Sequence, residues 1–89
     1  MDILKAKKLL EKVEGWKLTD NEIQRIYRFK NFQKAIEFVN MVAKLSDDEG
    51  HHPDIEISWN KVTLTLTTHA INGLSQNDFI LAAKINKIL

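Results

Sequence analysis

The chain contains no cysteine. That excludes a disulfide framework, a thiolate metal site and a thiol nucleophile, and it leaves the redox compartment open. No run approaches the roughly 20 apolar residues that a membrane-spanning helix needs. The opening Met1-Asp2-Ile3-Leu4-Lys5 lacks the uninterrupted apolar core of a secretory signal. An excess of one charge is missing too, since 13 basic and 12 acidic side chains leave a formal +1. Strong attraction to nucleic acid or to an anionic membrane is therefore not expected, and Lys5, Lys7, Lys8 and Lys12 read as the solvated face of an amphipathic helix. No GxxxxGK[ST], GxGxxG or GxSxG pattern occurs, which argues against a phosphate cradle and against a serine-hydrolase elbow. There is no repeat, low-complexity tract or linker. The 89 residues make a single domain, 1–89, whose small core would gain from self-association. A cytoplasmic protein is the expectation, with no direct nucleic-acid partner and no membrane partner.

What is present alternates between helical and strand periodicity. Ile3, Ala6, Leu9, Leu10 and Val13 follow helical spacing, with Asp2 as N-cap and Gly15 as stop. Trp16 and Leu18 alternate with Lys17 and Thr19. Asp20-Asn21 reads as a tight turn, and Glu22 to Phe29 as a second strand with Ile23, Tyr27 and Phe29 on one face; Arg25 breaks that pattern. Phe32, Ala35, Ile36, Val39, Val42 and Ala43 form the apolar stripe of a central helix, which leaves Phe38 and Met41 on the face expected to meet water or another subunit. Gly50 suits the helix stop. Ile55, Ile57 and Trp59, then Val62, Leu64 and Leu66, mark a hairpin turning at Asn60-Lys61. By parity His69 points with the threonines, away from the core. Ser75-Gln76-Asn77-Asp78 has capping-box form, and Phe79, Ala82, Ala83 and Ile85 support a last helix. The fold class expected is α+β, two-layer, a four-stranded antiparallel sheet with helices packed on one face, in the order α-β-β-α-β-β-α.

The chemistry concentrates in three histidines, His51, His52 and His69, the only ones in the chain. Imidazole titrates near neutral pH, so these are the natural proton carriers. His51 and His52 follow the C-terminus of the central helix, beside Asp47, Asp48 and Glu49, an acidic setting that suits imidazoles donating protons. Pro53 holds His52 extended, so the two rings point opposite ways, one into a site and one beside it. Three histidines could instead make a His₃ zinc site, although adjacent histidines converge poorly on one metal and no HExxH spacing is present.

The stretch GHHPDIEISWNKVTLTLTTHAINGLSQNDF resembles the pterin carbinolamine dehydratases. His51-His52-Pro53-Asp54, the Trp59-Asn60-Lys61-Val62 turn, Leu66-Thr67-Thr68-His69, Gly73-Leu74-Ser75 and Asp78 carry the resemblance. Element order and spacing agree over nearly the whole chain. The resemblance implies a lyase that removes water from 4a-hydroxytetrahydropterin to give quinonoid dihydropterin, the step that recycles tetrahydrobiopterin. It implies that the pterin is a substrate and that no cofactor and no metal is needed. It implies His51, His52 and His69 as catalytic residues, with His51 and His69 moving protons and His52 mainly holding the pterin. It implies Asp47, Pro53, Thr68, Ala70, Ile71 and Asp78 around the substrate, and self-association to a homodimer or homotetramer through the long helix. Asp47 stands where glutamate is common, Ala70 where an acidic residue is frequent, and Asn77 where some relatives carry arginine. Asp78, at the third position of its helix, suits a cap as well as a catalytic group. The alternative reading is a non-catalytic dimerisation or assembly cofactor of a transcription or enzyme partner, a role that would not require the three histidines.

Overall fold

A computed structural model describes residues 1–89. In chain order it holds α1 (Ile3–Leu10), β1 (Lys17–Thr19), β2 (Glu22–Arg28), α2 (Phe32–Glu49), β3 (Asp54–Ser58), β4 (Lys61–Leu66), a 3₁₀ turn (His69–Ile71) and α3 (Gln76–Asn86). The four strands form one antiparallel sheet in the order β1-β2-β4-β3. This is the two-layer α+β arrangement expected from the patterning, with the helices covering one face of the sheet.

Local signals account for most element ends. The Asp2 carboxylate accepts from the Lys5 amide at 2.8 Å, and the Asn31 side chain accepts from the Lys34 amide at 2.9 Å, so α1 and α2 each begin on a side-chain cap. Gly50 closes α2 in the left-handed conformation at φ 67°, and the His51 amide donates back to the Ser46 carbonyl. α1 stops at Leu10, sooner than its periodicity suggests, and single turns carry the chain on to Gly15. Gly15 lies at φ 88°, and a Cβ there would come within 2.6 Å of the Arg25 guanidinium carbon. The second hairpin turns at Trp59-Asn60, one residue earlier than expected, because Ser58 pairs with Lys61. Asn60 fastens that turn to β2: its Nδ2 donates to the Phe29 carbonyl, and the Phe29 amide donates to the Asn60 carbonyl, both at 2.8 Å.

The core corrects two expectations. Phe38 does not face water; it is 1% exposed, with its ring centroid 4.5 Å from that of Tyr27 and 5.1 Å from that of Phe29. The buried stripe of α2 is Ala35, Phe38, Val42 and Ser46, whereas Phe32 and Ala43 are exposed. Met41 is exposed, as expected. Arg25 does lie on the inward face of β2, and it is accommodated by the end of α3. Its guanidinium donates to the Asn86 side-chain oxygen at 2.7 Å and to the Glu14 carbonyl at 2.8 Å, and it lies 4.4 Å from the centre of the Tyr27 ring. The same Asn86 oxygen accepts from Trp16 Nε1 at 2.9 Å. No helix is long and apolar enough to cross a membrane.

Truncating Phe38 to alanine removes the ring on which Tyr27 and Phe29 pack and should cost about 3–5 kcal/mol, read from urea unfolding. A water-facing Phe38 would cost almost nothing. Burial pushes the Tyr27 phenol above its usual 10.0, and the Arg25 charge opposes this. Because the folded chain resists ionising Tyr27, its contribution to stability is intact below pH 10 and is lost as pH climbs through the raised value. Tyr27 is the only tyrosine, so ultraviolet titration of phenolate in the folded protein should show a midpoint above that of the denatured chain.

Candidate active site

Two segments bring the histidines to one end of the molecule: the loop after α2 and the loop after β4. Residues 51–53 have no regular secondary structure, and the two rings diverge as extended backbone dictates. His51 turns inward, with its side chain 18% exposed, and its Nε2 lies 2.5 Å from Oδ1 of Asp78. His52 turns outward at 60% exposure, and its Nε2 lies 2.9 Å from Oδ1 of Asp47. The acidic turn does not act as a group: Glu49 is taken up by Lys84 at 2.8 Å, and Asp47 is the acid that reaches a histidine.

Asp78 is the centre of the array. It is fully buried, and three donors converge on its carboxylate. Oδ1 accepts from His51; Oδ2 accepts from the Thr68 hydroxyl and from the Ser75 amide, each at 2.9 Å. A carboxylate offers no proton, so the His51 proton sits on Nε2 and Nδ1 is the ring nitrogen left for other work. Thr68 spends its proton on Asp78, so the Ser75 hydroxyl, 2.7 Å away, donates to Thr68. Asp78 therefore both caps α3, through Ser75, and orients a histidine.

His69 begins the 3₁₀ turn His69–Ile71 and is exposed. Strand parity does not reach it, because β4 ends at Leu66. It is tied to the array through its neighbour Thr68, whose hydroxyl shares the Asp78 carboxylate with His51. Ala70 and Ile71 are exposed on the same turn, and Pro53 is half-buried behind His52. Three hollows open on the surface of the single chain: between α1 and residues 71–74, along α2 beside Phe29 and Met41, and between α1 and α3. None of them is lined by a histidine. Within one chain the three imidazoles share none of these hollows: His51 is largely covered, whereas His52 and His69 are exposed. Nowhere do three His, Asp or Glu side chains group so as to hold a metal ion. The capping-box pattern gives Ser75 its place at the helix start, but nothing local in the sequence says that the Thr68 hydroxyl reaches Asp78 or that the Ser75 hydroxyl reaches Thr68.

A family model described as pterin 4 alpha carbinolamine dehydratase matches residues 2–88. A protein of Nitrosomonas eutropha, placed by its name among the pterin-4-alpha-carbinolamine dehydratases, is 49% identical over 85 residues, covering 94% of this chain and 75% of its own. One from Sulfolobus acidocaldarius, with a name in the same family, is 40% identical over 88 residues, covering 99% of this chain and 97% of its own. Among solved structures, the transcriptional coactivator/pterin dehydratase from Brucella melitensis superposes with a TM-score of 0.93 at 31% identity, covering 99% of this chain and 96% of that one.

Replacing Asp78 with alanine strands the Thr68 hydroxyl, the Ser75 amide and the His51 ring nitrogen at a buried position. We expect a loss of about 2–4 kcal/mol on urea unfolding. Asp78→Asn keeps an acceptor for the helix cap and should recover much of that loss while still releasing His51, seen as a shifted and broadened His51 ring resonance.

Proposed function

The chain belongs to the pterin 4 alpha carbinolamine dehydratase family, and on that footing we propose that it removes water from a 4a-hydroxytetrahydropterin in the cytoplasm, giving quinonoid dihydropterin and so recycling the reduced pterin. The reaction breaks the C4a–O bond. A proton must reach the departing hydroxyl, which leaves as water, and the N5 proton must be taken away as the C4a=N5 bond forms. Two imidazoles suffice for this. His51 works through Nδ1, its other nitrogen being held by Asp78; His69 serves as the second proton carrier; and His52, braced by Asp47, holds the pterin from the side. Pro53, Thr68, Ala70 and Ile71 form the remaining contact surface.

The observation that carries this reading is the buried Asp78 carboxylate, bonded at once to His51 and to the residue preceding His69. A buried carboxylate is costly to desolvate, and here one of its partners is the histidine assigned to chemistry. The second reading, an assembly or coactivator role, is favoured by the name of the Brucella neighbour, which joins both activities. It would use the outward flank of α2, where Phe32 and Ala43 are exposed and Ile36 and Val39 half-buried. That flank also supports self-association to a homodimer or homotetramer. Under the second reading the His51–Asp78–Thr68 array keeps only its structural part, capping α3 and joining loops, and the imidazoles have no task.

Stopped-flow dehydration of synthetic 4a-hydroxytetrahydropterin tests the assignment. His52→Ala should mainly raise KM. His51→Ala and His69→Ala should each lower kcat, and the double variant should approach the uncatalysed rate, since one placed proton carrier is worth about 10²- to 10⁴-fold. A double variant with undiminished kcat would remove the imidazoles from the chemistry.

A further inference from the structure

No hydrogen bond holds the His69 ring; the imidazole bonds of the chain belong to His51 and His52. The backbone therefore sets the point and the Cα–Cβ direction from which the His69 ring projects. That backbone is a short loop closed at its base by the Thr68–Gly73 bridge, where the Thr68 amide donates to the Gly73 carbonyl at 2.8 Å. Within the loop the Asn72 amide donates to the His69 carbonyl at 3.1 Å, and Asn72 adopts the left-handed conformation at φ 52°. Asparagine tolerates that conformation, but as a loop end on open surface it has little packing to keep it in place.

One residue of the other hairpin grips this loop on both sides. Asn21 Nδ2 donates to the Asn72 carbonyl at 2.8 Å, and the Asn21 carbonyl accepts from the Thr67 hydroxyl at 2.8 Å. Thr67 lies just before the loop and Asn72 at its far end, so the two bonds bracket the turn that carries His69. Asn21 sits in the turn between β1 and β2, whose three-residue register with β2 anchors it to the sheet. The contacts span 46 and 51 residues of sequence, so they are tertiary and not a by-product of the loop's own turn. Resting on the reading of His69 as a proton carrier, we infer that Asn21 is a positioning residue for it. Asn21 need not touch the pterin; it narrows the range of backbone conformations from which the His69 ring projects, and misplacement of a reacting group by an ångström is costly to rate.

Two readouts test this. The first is amide exchange: Asn21→Ala should hasten exchange at Ile71, Asn72 and Gly73 while the global unfolding midpoint moves little, and Thr67→Val should do the same to a lesser degree. The second is kinetic. Asn21→Ala should lower kcat more than it raises KM, with kcat/KM down about 3- to 10-fold, the scale of one modest hydrogen bond. Asn21→Asp keeps the shape without the N–H donor and should behave as the alanine variant does. In a His69→Ala background, Asn21→Ala should cost nothing further, because the residue it positions is gone. An equal loss in that background, full activity of Asn21→Asp, or unchanged exchange at residues 71–73 would each overturn the inference. If the unaltered protein did not dehydrate the pterin, the proposed function would fall, and the exchange measurement would still decide whether Asn21 holds the loop.

Discussion

The setting of His51 and of the β4–α3 connection depends on one buried carboxylate. Asp78 has no solvent exposure, and water has been replaced around it by a ring N–H, a hydroxyl and a backbone amide. Left unpaired, such a charge would cost several kcal/mol, so the three donors must be in place whenever the chain is folded. They come from the loop after α2, the end of the β4 segment and the N-cap of α3. A single side chain thus ties the loop after α2 to both ends of the β4–α3 connection, and because it is also the third residue of a helix, its backbone position is set by the helix start.

The other end of α3 is held as firmly by different means. Asn86 takes Trp16 Nε1 and the Arg25 guanidinium on its oxygen and donates from Nδ2 to the Glu14 carbonyl at 3.0 Å. α3 is therefore clamped at Asp78 and again at Asn86, with Phe79, Leu81, Ala82 and Ile85 buried between. A helix fixed at both ends can neither slide nor rotate, and the carboxylate it presents to His51 is correspondingly well placed. Lys84, two residues before Asn86, also reaches across to Glu49 at the end of α2. The helix that supplies the carboxylate and the helix that delivers His51 are thus tied to each other beside the site.

Signals confined to a few neighbouring residues are legible in the sequence: the Asp2 cap, the Gly50 stop, strand alternation, and the Ser75–Asp78 pattern. What depends on partners far along the chain is not. The α2 stripe expected from periodicity lies roughly 60° from the face that is buried. The helix carries apolar residues on its outward flank too, at Phe32 and Ala43, and periodicity alone cannot tell which apolar flank meets the sheet. Arg25 broke an otherwise clean strand pattern because its partner, Asn86, is 61 residues away. The histidine motifs were visible, and the family resemblance joined them, but nothing local shows that Asp78 lies between His51 and Thr68, or that Asn21 spans Thr67 and Asn72.

The two proton carriers of the proposed reaction are held unequally, and this follows from how one carboxylate can serve two rings. His51 is oriented directly, at the cost of one of its nitrogens, which leaves a single defined nitrogen for a ligand. His69 keeps both nitrogens, and in exchange its ring direction depends on the backbone around it. The link between them is Thr68: its hydroxyl shares the carboxylate with His51, and its amide closes the loop that carries His69. A shift of the 69–72 loop would move His69 alone. The direct bond makes His51 the fixed reference of the pair, and the precision of the second ring then rests on whatever secures its loop to the rest of the sheet.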